Sequence, residues 1–383
     1  MERFAREKRL LIGFALFKYF PFGGLQRDFL RVAAECIRRG ANIRVYTLSW
    51  EGPVPEGIDL VEVPVAAVTN HRRYERFAQW VAEDRRWRPV DCLVGFNKMP
   101  GLDIYYAADS CYEEKAQQLR APLYRMTSRY RLFSSFERSV FDPDSDVRVM
   151  LITEHQKAQF QKFYGTPDER LDILPPGVSL DRRPGADTER TRCEFRAEFS
   201  ISDDDVLLLL IGSGFITKGV DRALQAIAAL REDVRRRVRF FVIGQDNPRQ
   251  FLRLAEELGV ADRLTIFSGR DDIPRFLQGA DVMIHPAYME SGGIVLLEAL
   301  VAGLPVIATD VCGFAPYVAR ADGGVLIESP FCQERLNMAL ERMITDDAFR
   351  CRCSTNGITF GRTADVYGMA ERAVDLIEEH LRG

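Results

Sequence analysis

Residues 285–298 read HPAYMESGGIVLLE and bring together two carboxylates, a glycine pair and the opening of a helical pattern. A carboxylate offers two acceptor oxygens, which match the adjacent hydroxyls of a ribose. Glycines at Gly292 and Gly293 let backbone approach a ligand closely. The helix expected from Ile294 and Val295 onward presents unpaired N–H groups and the positive end of its dipole, a ready site for a diphosphate. Glu298, about one turn inside that helix, is the candidate for the ribose. Two glutamates eight positions apart, Glu290 and Glu298, occur often by chance. A capped helix with a surface glutamate is the bland alternative, and the combination of strand, glycine pair and helix argues against it.

A second stretch, Gly212 to Arg222, reads GSGFITKGVDR after a strongly apolar run. A phosphate-binding loop of the nucleoside triphosphatases needs Gly-Lys-Ser/Thr, whereas this chain has Thr217-Lys218-Gly219. The dinucleotide fingerprint lacks its third glycine. What remains is a glycine turn with Lys218 at an expected helix start, suited to a diphosphate leaving group. A merely solvated lysine there would sit at the unfavourable end of a helix dipole. A third stretch, residues 18–28, carries Gly23, Gly24 and Asp28 between an apolar run and a helical pattern. Asn97 and Lys98 fall in a Gly95–Asp103 segment, and Asp109 follows Tyr105 and Tyr106.

Together these stretches resemble the retaining GT-B glycosyltransferases of family four, whose signature is Glu-x7-Glu. Within that family the likeness is to the members that add the first outer-core hexose to an inner-core heptose of lipopolysaccharide. It extends from Phe14 to about Leu376. The resemblance implies that Glu298 binds the nucleotide ribose, that Glu290 lies beside the donor sugar, and that the Gly292–Val295 backbone contacts sugar and phosphates. It implies that Lys218 neutralises the departing diphosphate, so that a UDP-sugar is the co-substrate and no metal or other cofactor is required. Many relatives carry a second basic residue near the lysine. Here Ser213 and Thr217 stand in the candidate places, so Arg182 is the candidate for the second charge, with Arg270 a further donor-side candidate. Gly23 and Gly24 would close over the donor. Asp28, Asn97, Lys98 and Asp109 are expected at the acceptor, with Asp109 among the catalytic candidates beside Lys218, Glu290 and Arg182. A helix cap or a surface carboxylate explains Asp109 and Asp28 equally well.

The elements that would position these groups alternate. Residues 10–17, 43–48, 60–65, 91–96 and 147–153 read as strands, with a helix over 25–39. After the break at Pro175-Pro176-Gly177, strands are expected at 206–211, 240–243, 264–267, 282–285 and 306–309. Strands separated by helical patterns mean right-handed crossovers and open parallel sheets. The predicted fold is therefore α/β of the GT-B type: a Rossmann-like acceptor domain over 1–174 and a nucleotide-sugar domain over 175–363, facing across a cleft. A last helix over 364–383 is expected to complete the first domain.

Composition bounds the partners. A chain of 383 residues with 46% apolar and 28% charged residues suits two globular domains. Its net charge of −4 leaves no general field for nucleic acid. Eight scattered cysteines with no C-x-x-C pair read as free thiols. Arg3, Arg6, Lys8 and Arg9 precede the apolar run at 10–17, which is short, broken by Lys18 and followed by no small-residue cleavage site, so a buried strand is expected in place of a signal peptide. A cytoplasmic protein is expected. Arg120, Arg125, Arg129 and Arg131, interleaved with aromatics, could rest on the anionic inner face of a membrane that carries the lipid-linked heptose. The competing reading is a solvated face with inward-packed aromatics. A nucleotide-sugar epimerase and a non-catalytic sugar-binding protein are the rival functions. No acid/base pair stands out for the first, and the presence of Lys218, Glu290 and Glu298 argues against the second.

Overall fold

Every side chain of Val206–Ile211 is buried, as a parallel strand covered on both faces requires. The computed structural model describes residues 9–21 and 23–382, so Arg3, Arg6, Lys8 and Phe22 lie outside the described residues. Among the described residues the strands are β1 (Leu11–Ala15), β2 (Asn42–Thr47), β3 (Ile58–Glu62), β4 (Cys92–Gly95), β5 (Ile104–Ala107), β6 (Arg148–Leu151) and β7 (Leu171–Ile173) in a seven-stranded sheet. A six-stranded sheet holds β8 (Val206–Ile211), β9 (Val238–Ile243), β10 (Leu264–Phe267), β11 (Val282–His285), β12 (Val306–Thr309) and β13 (Gly324–Ile327). All pairings are parallel. The chain forms two compact units, one running to Pro175 and resuming at Gly368, the other Pro176–Tyr367.

The strand orders are β3-β2-β1-β4-β5-β6-β7 and β10-β9-β8-β11-β12-β13. In each sheet the order reverses at one place, between β1 and β4 in the first and between β8 and β11 in the second. Crossovers leave that place on opposite faces, which opens a crevice beyond the carboxyl ends of the two strands. Ile12 pairs with Cys92, and Val282 pairs with Leu208. The first sheet is filled from both sides: Phe14, Phe29, Val94 and Tyr106 lie on one face, Phe77, Tyr105, Phe141 and Phe160 on the other.

Three strands were not expected. β5 and β7 are short, and β13 opens with a glycine, so none carries a long apolar run. The final helix also begins later than expected, as Met369–Arg382, because the preceding helix Asp347–Thr363 stops at Ala364 and the Val178 N–H donates to the Val366 carbonyl at 2.8 Å. Met369, Ala373, Val374 and Ile377 then join the first unit's core beside Phe29, Val32 and Cys36, and Arg39 bonds Asp375 at 2.7 Å. All eight cysteines are free. No helix among the described residues is long and apolar enough to cross a membrane.

Candidate active site

Two loops leave the carboxyl ends of the neighbouring strands β8 and β11, at the reversal of the second sheet. After β8 the chain makes a single turn, Phe215–Lys218, bounded by Gly214 and Gly219, both left-handed with φ of +80° and +76°. Lys218 therefore closes a short turn and does not open a helix. The dipole mismatch expected for it does not arise. Its side chain lies across Gly212, where a Cβ would come within 3.1 Å of Lys218 Cε and where φ is +141°. A side chain at 212 would push the lysine away.

After β11, Gly293 (φ +83°) caps the helix Ile294–Ala302. The Ile294 and Val295 N–H groups open that helix and have no carbonyl within it. The loop before it is held by the Gly313 N–H on Glu290 O at 3.1 Å and the Phe314 N–H on Gly292 O at 2.8 Å. Glu290 meets Lys218 in a direct ion pair. His285, the last residue of β11, is fully buried with Nε2 3.4 Å from Glu290 Oε2, and neither ring nitrogen has a hydrogen-bond partner among the described residues. Burial lowers the His285 pKa, so the imidazole is neutral at pH 7. Burial alone would raise the Glu290 carboxyl, yet its neighbours hold it well below the usual carboxylate range. Those neighbours are the His285 ring and then the Lys218 ammonium, the cation of the pair.

Glu298 is only 2% exposed, and Arg182, 6% exposed, donates from Nε to Glu298 Oε1 at 3.2 Å and from Nη1 to Asp181 at 2.7 Å. The arginine expected on the diphosphate is thus committed to the two carboxylates. It orients Glu298 and balances its charge. Arg270 is committed as well, with Nε and Nη2 on Asp272 at 2.7 and 2.8 Å.

In the first unit the loops after β1, β4 and β5 carry the remaining candidates. Gly23 precedes the helix Gly24–Arg38, and a Cβ there would lie 1.8 Å from Gln26 Oε1, whose amide donates to Lys18 O at 3.0 Å. Gly24 has open space where a side chain would be. Asp28 accepts from the Tyr106 hydroxyl at 2.8 Å, and Asn97 Oδ1 accepts the Phe17 N–H at 2.7 Å, which ties the β1 and β4 loops together. Asp109 is exposed. It is not a helix cap, since Cys111 precedes the helix Tyr112–Leu119.

Lys98, expected at the acceptor, is found in an ion pair within the first unit. Its ammonium pairs with Glu137, which is wholly buried, and packs over the Phe141 and Phe160 rings at 5.9 and 5.4 Å. Glu137 also accepts the Tyr112 and Glu113 N–H groups at 2.7 and 2.9 Å and the Tyr164 hydroxyl at 2.6 Å. A carboxylate so buried needs a cation, and Lys98 serves as that cation. Sequence distance concealed the partner.

Arg120, Arg125, Arg129 and Arg131 are all exposed, as are Leu123 and Met126. Phe136 and Phe141 point into the core, while Tyr124, Tyr130 and Phe133 are half-buried against one another and Tyr112. The segment thus has a basic outer face, with aromatics packed inward or against one another.

Residues 191–360 match the family of glycosyl transferases group 1. The chain is 46% identical over 374 residues to lipopolysaccharide glucosyltransferase WaaG of Escherichia coli strain K12, covering 98% of this chain and 100% of that one. It is 30% identical over 355 residues to D-inositol 3-phosphate glycosyltransferase of Nocardia farcinica, covering 80% of this chain and 73% of that one. The crystal structure of WaaG, a glycosyltransferase involved in lipopolysaccharide biosynthesis, matches with a TM-score of 0.93 at 47% identity over 96% of this chain and 99% of that one. Anabaena Alr3699/HepE in complex with UDP-glucose matches at 0.73 with 16% identity over 97% and 100%, a likeness of fold alone. With two parallel sheets of the GT-B kind and both loops in place, the chain belongs to the group 1 glycosyltransferases.

Proposed function

We propose that the protein transfers glucose from UDP-glucose, with retention, onto a heptose of the lipopolysaccharide inner core. The observation that carries the donor half is the pairing of Lys218 with Glu290 and of Arg182 with Glu298 around one strand reversal. Glu298, oriented by Arg182, accepts the ribose hydroxyls. The diphosphate lies at the start of the helix Ile294–Ala302, where N–H groups and Lys218 meet its charge. Glucose and heptose follow from the likeness to WaaG over almost the whole chain.

In the reaction the acceptor oxygen bonds to the anomeric carbon as the bond from that carbon to the β-phosphate oxygen breaks on the same face. The acceptor proton passes to a phosphate oxygen of the departing UDP. Lys218 and the helix N–H groups stabilise charge that grows as the bond breaks, so they act on the transition state more than on the bound donor. Glu290 orients sugar hydroxyls and is no nucleophile in this scheme. Asp28, Asn97 and Asp109 of the first unit are assigned to acceptor hydroxyls.

The exposed arginines and the apolar tips Leu123 and Met126 suit the headgroup layer of an anionic bilayer, where a lipid-linked acceptor resides. On this reading the enzyme works peripherally on the cytoplasmic face of the inner membrane. The test is UDP release from a panel of UDP-sugars, with and without a heptose-terminated acceptor, for the parent and Glu298→Ala. Acceptor-dependent release with UDP-glucose, largely lost in the variant, is expected. Release with another hexose only would reassign the donor, and no release despite UDP binding would defeat the reading.

A further inference from the structure

Arg222 lies one turn beyond Lys218, in the helix Val220–Ala229. Its Nη1 donates to the carbonyls of Pro286 and Ala287 at 3.1 and 3.0 Å, the first residues after β11. Its guanidinium carbon sits 3.5 Å from the Tyr288 ring centre and 3.6 Å from that of Phe331, so the group is stacked between two rings. Such a planar cation, bonded in its own plane and stacked on both faces, has little freedom to move.

The surrounding contacts run between the same two segments. The Tyr288 N–H donates to Thr217 O at 2.8 Å, and the Tyr288 hydroxyl donates to Asp221 at 2.6 Å. A Cβ on Gly219 would stand 2.1 Å from Pro286 O, so the two backbones touch where only glycine fits. Ala287 O takes a second bond, from Thr309 Oγ1 at 2.8 Å, and Gln333 Nε2 bonds Arg222 O at 3.1 Å. Lys218 and Glu290, one from each segment, pair directly beside this junction.

We propose that Arg222 is a positioning residue that holds the Lys218 turn and the Glu290 loop in one register, and so sets where ammonium and carboxylate meet the donor. It acts through Lys218 and Glu290, and it rests on their reading as donor-handling groups. A small displacement of a catalytic group has a large effect. Misplacement by about 1 Å can cost roughly 100-fold in rate.

The experiment compares Arg222→Met and Arg222→Lys, alone and with Lys218→Ala, in the full-length enzyme. Arg222→Met fills the slot between the rings but donates nothing, and Arg222→Lys keeps a charge without the planar stack. Expected for Arg222→Met is a fall in kcat of about 10- to 100-fold, with donor KM changed less. In the Lys218→Ala background the same change should cost clearly less than in the parent, since one of the two groups whose register Arg222 sets is gone. Arg222→Lys should fall between. A loss that multiplies in full in the Lys218→Ala background, or a folded Arg222→Met with parental kcat, overturns the proposal. Amide exchange reads the junction without turnover: Tyr288 N–H, bonded to Thr217, should lose protection in Arg222→Met while β8 and β11 keep theirs. Parental protection at Tyr288 overturns the proposal even if the parent enzyme shows no transfer, and absent transfer with lost protection faults only the functional reading.

Discussion

Replacing Lys98 by Met should unsettle the first unit and leave acceptor recognition intact. Glu137 is wholly buried, and the Lys98 ammonium is the cation bonded to it. Met retains the aliphatic body over Phe141 and Phe160 and removes only the charge. Removing one partner of a buried pair costs about 3–5 kcal/mol. At roughly 2–4 °C per kcal/mol for a unit of this size, the first unit's melting transition should fall by about 6–20 °C. The pH dependence carries the sharper signature. In the parent, burial raises the Glu137 carboxyl, but Lys98 and the other donors prevail and its pKa lies below the ordinary value. That contribution is present above the unfolded pKa and is lost as pH falls through the folded one. Without Lys98 only neutral donors oppose burial, so the folded pKa should rise above the unfolded value. The carboxyl is then better tolerated protonated, and the variant gains stability as pH falls through that raised pKa. The deficit relative to the parent should therefore be larger at pH 8 than at pH 5. Thermal melts followed by near-ultraviolet circular dichroism at several pH values, with acceptor KM measured on the folded variant, provide the assay. An unchanged melt with a raised acceptor KM would refute the structural reading and restore Lys98 to the acceptor. A deficit independent of pH would refute the electrostatic account.

Lys218→Ala should lower kcat for acceptor-dependent UDP release by about 100- to 1,000-fold, the usual loss for one donor to developing oxyanion charge, with parental circular dichroism as control. Arg182→Met leaves Glu298 buried without its guanidinium partner; calorimetry should show weaker UDP binding together with a lower melting point for the second unit, and unchanged UDP affinity would deny Arg182 its orienting part. Reversing Arg120, Arg125, Arg129 and Arg131 to Glu should abolish sedimentation with vesicles containing anionic lipid, and parental binding should weaken as salt rises.

The second unit was the more legible half. Its strands β8, β10, β11 and β12 coincide with the expected ranges, because each is a short apolar run between turn residues. The first sheet hid β5, whose IYYA run holds two tyrosines. Both are buried, and only Tyr106 finds a hydroxyl partner, in Asp28. Such a strand is specified by what covers it, and one-dimensional periodicity does not report that. The Glu290–Glu298 loop was readable because its parts are contiguous. The Lys98–Glu137 and Arg182–Glu298 pairs were not, since a salt bridge between distant positions is a property of the fold. Two further signals stand in the sequence. His285 ends a fully apolar strand, where an ionisable group demands a reason, and Arg222 stands one helical turn from Lys218 with aromatic residues in both adjoining segments.

The ion pair at the centre of the site also bears on which ligand it favours. With Glu290 held on Lys218, the place proposed for the diphosphate is nearly neutral. A diphosphate that approaches Lys218 must displace the carboxylate or share the ammonium with it, and the energy of a contact pair at partial burial is large enough to reclaim much of what the phosphate gains. Glu290 is held as an anion below the usual carboxylate range, so it does not escape by protonation near neutral pH. It needs donors. The hydroxyls of a donor sugar supply them, and UDP alone does not. Intact nucleotide sugar thus recovers the cost of opening the Lys218–Glu290 pair, while the spent nucleotide leaves it unmet and the pair is free to re-form behind the departing product. If Lys218 and Glu290 handle the donor as proposed, their contact favours the substrate over the product, the direction that turnover requires.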